Sequence, residues 1–125
     1  MTTELIDAAS DECRMLASII GRAGDKWSVM IVVLLGEGPM RFSEIKRSVP
    51  GISQRMLTFT VRGLERDGLL TRTVYPTTPP RVDYELTPLG STLWKALEPF
   101  ANWARANAKE IMAARMEFDA REDSA

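Results

Sequence analysis

Residues 51–70, GISQRMLTFTVRGLERDGLL, predict one amphipathic helix that begins after Ser53 and ends before Gly68. Serine is a favoured N-cap residue, and glycine is the usual residue just beyond a helix. The apolar residues recur at i, i+4 and i+7 and form one buried face: Leu57, Val61 and Leu64. The opposite face carries mainly hydrogen-bond donors and no acid: Gln54, Arg55, Thr58 and Arg62. An ordinary solvated face would mix acids with bases, so this face indicates a ligand.

The segments on either side of this helix define a motif. Before it, RFSEIKRSVPG predicts a short helix, about 44–49, that Ser43 caps and that stops at Pro50 and Gly51. After it, the apolar period changes to two on either side of PTTPP, which predicts a β-hairpin over 69–86. A short helix, a turn with glycine and a longer helix form a helix-turn-helix. The hairpin makes it a winged version.

We expect three further helices, over residues 4–22, 26–36 and 88–115. Asp25 is the predicted cap of the second, and Thr87 followed by proline opens the third. The fold class is therefore mainly α with a small β-hairpin. The 125 residues fit one winged helix-turn-helix domain, with a DNA-binding core of about 26–87 between an N-terminal and a C-terminal helix.

The net charge of −1 conceals an asymmetry along the chain. Residues 1–12 carry four acids and no base, and 117–125, which we expect to fray, carry four acids and one base. Between residues 41 and 81 there are three acids and eight bases, a net charge of +5. The bases are Arg41, Lys46, Arg47, Arg55, Arg62, Arg66, Arg72 and Arg81. Such a local excess suits a polyanionic partner.

The motif and the charge together predict double-stranded DNA as the partner. A helix fits the major groove, which is about 12 Å wide, and its first turns face the base edges. The predicted reading residues are Gln54, Arg55 and Thr58. The predicted backbone contacts come from the helix, the segment before it and the wing tip: Ser53, Arg62, Arg41, Lys46, Arg47, Thr78 and Arg81. Phe59 borders both faces of the helix, and we expect it at the edge of the core.

The sequence lacks the residues that several other functions require. The chain has no histidine and one cysteine, which leaves no typical zinc site and removes the commonest general base. No glycine-rich phosphate loop is present, so we expect neither an enzyme nor a cofactor. The apolar run 28–36 is too short for a bilayer, which takes about 20 residues. We therefore expect a cytoplasmic protein without a membrane partner. A winged-helix adaptor for proteins is the remaining rival, although it should expose apolar anchors on the helix 53–67.

Residues 13–105 resemble the HxlR-type winged helix-turn-helix regulators. The resemblance rests on short motifs that occur in order: Lys26-Trp27, Arg41-Phe42-Ser43-Glu44-Ile45, Gly51-Ile52-Ser53, Leu64-Glu65-Arg66-Asp67-Gly68-Leu69, Pro79-Pro80-Arg81-Val82-Asp83-Tyr84 and Leu86-Thr87-Pro88-Leu89-Gly90. It implies a bacterial or archaeal homodimeric transcription regulator, for which repression is the commoner mode. It also implies that helices 4–22 and 88–115 form the dimer interface. Two recognition helices would then read a palindromic operator with half-sites roughly 34–36 Å apart.

The resemblance also raises the question of an effector. Some members of the family sense oxidants through a cysteine near the position of Cys13, commonly followed by proline. Here Arg14 follows Cys13, and the alternative role of this cysteine is simple packing in the dimer helix. A small-molecule pocket is a second route to regulation, with a set of aromatic and methionine side chains that core packing also explains: Trp27, Met30, Trp94, Phe100 and Trp103.

Overall fold

The computed structural model describes residues 11–124, which form five α-helices and a three-stranded sheet. The helices are α1 Asp11–Gly24, α2 Lys26–Leu35, α3 Phe42–Ser48, α4 Gln54–Arg66 and α5 Pro88–Ser124. The strands are β1 Met40–Arg41, β2 Leu70–Tyr75 and β3 Arg81–Leu86. The mainly helical winged fold is confirmed. The first part of the predicted helix 4–22 lies outside the described residues.

The core is built around the apolar face of α4. Leu57, Val61 and Leu64 are all fully buried, as their spacing predicts. They join buried residues of the other elements: Ile31, Val32 and Leu35 of α2, Ile45 of α3, Val49, Ile52, Leu70 and Tyr84. Burying one large aliphatic side chain contributes about 1.5–3 kcal/mol, so this cluster fixes the rotation of α4 about its own axis.

Three of the predicted helix caps are confirmed. The Ser53 hydroxyl accepts a hydrogen bond from the Met56 amide at 3.0 Å. Asp25 accepts one from the Ser28 amide at 3.1 Å, and the hydroxyl of Thr87 accepts one from the amide of Gly90 at 2.9 Å. Each bond satisfies a backbone donor that the first turn leaves unpaired.

The predicted Ser43 cap of α3 is wrong. The helix begins at Phe42, and Arg41 occupies the cap position. The Glu44 carboxylate reaches back and accepts from the Arg41 amide at 2.9 Å. A glutamate at the third helical position can satisfy this donor, so the helix begins two residues earlier than it would with Ser43 as its cap.

Strand β3 lies at the centre of the sheet and pairs antiparallel with both neighbours. The hairpin β2–β3 confirms the predicted wing. Strand β1 was not predicted, because two residues are too few to show the period of a strand. Asp83 lies opposite Arg41 on β1 and Thr73 on β2, and Tyr84 lies opposite Met40 and Arg72. Because neighbouring side chains of a strand point to opposite faces, Asp83 lies on the outer face of the sheet and Tyr84 on the inner face.

Helix α5 has 37 residues, a length of about 55 Å, and continues to Ser124 instead of ending near 115. The expected fraying of the acidic end is wrong for residues 117–124, because this segment is helical. An ion pair between Arg121 and Glu117, one turn apart, supports this end, with 3.9 Å between nitrogen and oxygen. Among residues 11–124, no helix is both long and apolar enough to cross a bilayer.

Candidate nucleic-acid interface

The surface of α4 opposite the core is a row of four exposed side chains. Arg55, Phe59, Arg62 and Arg66 are spaced at i, i+4, i+7 and i+11, which places them along one line of the helix. Within residues 11–124, none of the three guanidinium groups forms an ion pair with a carboxylate. The predicted reading residues Gln54 and Thr58 are also exposed and lie beside this row. The helix therefore presents unneutralised positive charge to solvent.

The expectation that Phe59 packs at the core edge is wrong, since its side chain is 68% exposed. Phe59 lies two residues from both Leu57 and Val61, about 200° around the helix axis, so the cluster that buries them cannot reach it. Single exposed apolar side chains are common on protein surfaces, so a role for Phe59 depends on its place in the row of exposed side chains. Phenylalanine is one of the side chains that can contact the thymine methyl in the major groove.

One flank of α4 is held by α1. The Arg22 guanidinium lies across Gly63, where the β-carbon of any other residue would collide with it. Its Nε donates to the Asp67 carboxylate at the end of α4, at 2.8 Å. Both side chains are about one-third exposed, so this is a partly screened ion pair. Sequence reasoning missed this contact, although a glycine inside a helix is a signal of close approach.

The other flank of α4 meets the inner face of the sheet at Tyr84. Burial raises the pKa of the Tyr84 hydroxyl, and the Arg72 side chain, within hydrogen-bond reach, opposes that rise. The charges of Glu65 and Arg62 on α4 also act on this hydroxyl, Glu65 raising its pKa and Arg62 lowering it. Arg72 was not among the predicted contacts. The sequence does contain a signal for it, because Arg72 stands between Leu70 and Val74 on the same, otherwise apolar, face of β2.

The predicted backbone contacts of the preceding segment are accessible. Lys46 and Arg47 are exposed on α3, and Arg41 is exposed at its start. Arg41 also lines an open groove of about 580 Å³ between the start of α3 and the wing tip, residues 77–82. The structure therefore brings Arg41 close to the wing and leaves Lys46 and Arg47 on the neighbouring helix.

The wing tip is shaped by its own side chains. The Thr77 hydroxyl donates to the Pro79 carbonyl at 2.8 Å, and Thr78 is exposed. Arg81 is exposed as well, but it forms a bidentate ion pair with Asp83 in which Nε and Nη2 each lie 2.9 Å from a carboxylate oxygen. Its guanidinium also lies over the Tyr75 ring, 5.0 Å from the centroid. Both oxygens of the Asp83 carboxylate are therefore bound by Arg81 and are not simply solvated.

The proposed effector residues are distributed over the molecule. Cys13 is half-buried on α1. Trp27 and Trp94 pack against the core. Phe100 and Trp103 are exposed on α5, where their rings stack with centroids 6.5 Å apart. Since Trp94 packs against Gly36 at the end of α2, whereas Met30 and Trp103 are exposed, the five side chains do not enclose one pocket within a single chain.

Known proteins share both the sequence and this fold. The HxlR-like helix-turn-helix family matches residues 22–112. The HTH-type transcriptional regulator YtfH of Escherichia coli is 39% identical over 99 residues, which are 79% of each chain. The ytfH structure from Salmonella typhimurium has a TM-score of 0.74 at 36% identity and covers 79% of this chain and 88% of its own. The redox regulator HypR in its reduced form has a TM-score of 0.70 at 35% identity, with 78% and 97% coverage.

The matched range 22–112 includes the whole helix-turn-helix and the wing, from α2 to β3. The relatives are transcriptional regulators, which excludes the enzyme classes and does not favour the protein adaptor. The chain belongs to the HxlR-like helix-turn-helix family of DNA-binding transcriptional regulators.

Proposed function

We propose that this regulator binds a palindromic operator as a homodimer and reads it with residues 53–67. The observation that carries the proposal is the row of Arg55, Phe59, Arg62 and Arg66, which is exposed and lies opposite the buried face of α4. In this proposal residues 26–87 are the DNA-binding core. Residues 4–22 and 88–115 pair the two copies. Repression, the commoner mode in this family, is the proposed outcome of binding.

The exposed side chains divide into two roles by their position on α4. Gln54, Arg55 and Thr58 lie in the first turns, where a helix in the major groove meets base edges. Arginine can bond two acceptors of guanine, and glutamine can do the same with adenine. Arg62 lies two turns from the start of α4, where an arginine is better placed for phosphate oxygens than for base edges.

The remaining contacts are to the sugar-phosphate backbone. Ser53 leaves backbone N–H groups at the helix start available to a phosphate. The groove between the wing tip and the start of α3 suits a single sugar-phosphate strand. The backbone residues from the wing 69–86 and the segment before α4 are Arg41, Lys46, Arg47, Thr78 and Arg81.

Fluorescence anisotropy tests this proposal directly. The duplex upstream of the gene for this protein and a scrambled duplex are each titrated at about 50 and 200 mM salt. We expect tight binding to the first duplex alone and a steep loss of affinity with salt. Equal, weak binding to every duplex from the surrounding intergenic regions would contradict sequence-specific recognition. A reporter fusion whose output rises when the gene is deleted tests repression.

Substitutions on α4 should separate base reading from charge. Arg55→Ala should cost about 1–3 kcal/mol and relax the preference at one base position. Arg62→Ala should weaken binding to all sequences about equally and flatten the salt slope by about one unit. Lys109→Ala removes the same charge and is the control, because Lys109 is exposed on the side of α5 opposite Ile111, away from both the helix-turn-helix and the proposed dimer stripe. If Arg55→Ala alters neither affinity nor base preference, the proposed orientation of α4 is wrong.

Phe59 should contribute specificity through a thymine methyl group. Phe59→Ala should lower operator affinity, because the exposed ring loses an apolar contact. The decisive comparison replaces each operator thymine by deoxyuridine, which removes only the methyl. One such replacement should weaken the wild-type protein by about 1 kcal/mol and leave Phe59→Ala unaffected. Equal sensitivity of both proteins at every position would exclude Phe59 from base reading.

Apolar residues on α5 indicate the dimer surface. They form one stripe along the helix, including Phe100, Trp103, Ile111 and Phe118. Most side chains between 102 and 123 are exposed, so this part of α5 gains little from its own chain. Helices depend mainly on tertiary packing for their stability, so a second copy of this helix is the expected partner.

Light scattering at micromolar concentration should show a dimer. Trp103→Glu should shift the equilibrium toward monomer, because it places a charge in the stripe. Met112→Glu is the matched control, since Met112 is 53% exposed against 55% for Trp103 but lies on the opposite side of α5. A wild-type monomer, or equal dissociation by both variants, would contradict this interface.

Redox control through Cys13 is a second candidate. It is favoured by the likeness to HypR, a redox regulator, and by the position of Cys13 on α1, the helix that carries Arg22 to α4. Because the chain has one cysteine, oxidation would join two subunits or add a small thiol. Diamide should therefore weaken DNA binding by the wild-type protein and leave Cys13→Ser unchanged. Equal loss in both would remove Cys13 from the mechanism.

A further inference from the structure

The outer face of the sheet holds a charge cluster centred on Asp83. Asp83 lies opposite Arg41 on β1 and opposite Thr73 on β2. Arg81 is two residues earlier on β3, on the same face, and opposite Tyr75. The Asp83 side chain is only 15% exposed, whereas that of Arg81 is 41% exposed. The carboxylate is therefore set into the sheet and the guanidinium lies above it, nearer to solvent.

The contacts of Arg81 leave one side of its guanidinium available. The group has five N–H donors in a rigid fork. Nε and Nη2 donate to the two oxygens of Asp83. Nη1 and the second hydrogen of Nη2 form the other edge of the fork, which can bind a phosphate through two parallel hydrogen bonds. The Tyr75 ring lies against the guanidinium, so its orientation is fixed by two independent contacts.

We propose that Asp83 is a positioning residue for DNA binding, which holds Arg81 so that its free edge meets a phosphate of the strand in the wing groove. This role rests on the proposed function. Arg41, Ser43 and the wing-tip residues 77–82 line the groove in which that strand would lie. Arg41 also lies beside Asp83, and both arginines lower the pKa of the Asp83 carboxyl, so it stays ionised.

Removal of the Asp83 carboxylate has two opposite expected effects on the affinity for DNA, one through the orientation of Arg81 and one through the net charge of the wing. On charge alone, removing an acid from the interface strengthens attraction to DNA and steepens the salt dependence. If orientation dominates, removing it frees Arg81 to adopt many rotamers, and binding must then order a long side chain. The sign of the change in affinity therefore distinguishes the two.

The test compares Asp83→Asn with Glu85→Gln in the anisotropy assay, on the operator duplex. Glu85 lies on the same face of β3, and Glu85→Gln removes the same charge without touching Arg81. We expect Asp83→Asn to bind about five- to tenfold more weakly than the wild-type protein, by loss of the ordering of Arg81. Glu85→Gln should bind equally or more tightly. If Asp83→Asn binds the operator as tightly as Glu85→Gln does, the proposal is overturned.

A double-mutant cycle confirms that Asp83 acts through Arg81. In an Arg81→Ala background, Asp83→Asn should no longer weaken binding. Asp83→Glu, which keeps the carboxylate, should restore most of the affinity, and thermal unfolding verifies that each variant is folded. A loss that persists without Arg81 would assign Asp83 to the stability of the wing and overturn the proposal. If the wild-type protein and Glu85→Gln show no sequence preference, the recognition function fails and the role of Asp83 fails with it.

Discussion

The burial of one face of α4 against α2 and the sheet is the constraint on which the rest of the structure depends. Leu57, Val61 and Leu64 are fully enclosed, and turning the helix would expose them to water. Because this rotation is fixed, the residues that face solvent are fixed with it. The exposed row therefore owes its position to the apolar residues on the other side. In this protein the core determines which side chains of α4 are available to a ligand.

One further contact holds α4 relative to its neighbours. Arg22 of α1 crosses Gly63 and binds Asp67. This contact joins the helix that carries Cys13 to the end of α4. In the proposed redox mechanism, a change in α1 would reach α4 through this ion pair. On the wing, Arg72 of β2 lies opposite Tyr84 of β3, which places a further base on the inner face of the sheet.

The arginine of the wing and the arginines of α4 differ in how far their charge is neutralised by a neighbouring acid. Arg81 is partly neutralised by Asp83, so it attracts DNA less at a distance than a solitary arginine. It is held by an ion pair and an aromatic ring, so in the proposed contact with a phosphate it would lose less conformational entropy than a free side chain. Arg55, Arg62 and Arg66 have no such ion pair within the described residues. Long-range attraction and local fit thus come from different parts of the surface.

The sequence by itself determined what depends on local spacing. The period of α4, the caps Ser53, Asp25 and Thr87, the hairpin and the exposure of Gln54, Arg55 and Thr58 all follow from residues within a turn or a strand of one another. Tertiary structure alone decided the pairing of β1 with β3 and the passage of Arg22 over Gly63. These depend on which distant elements meet, and the period of a single segment carries no information about that.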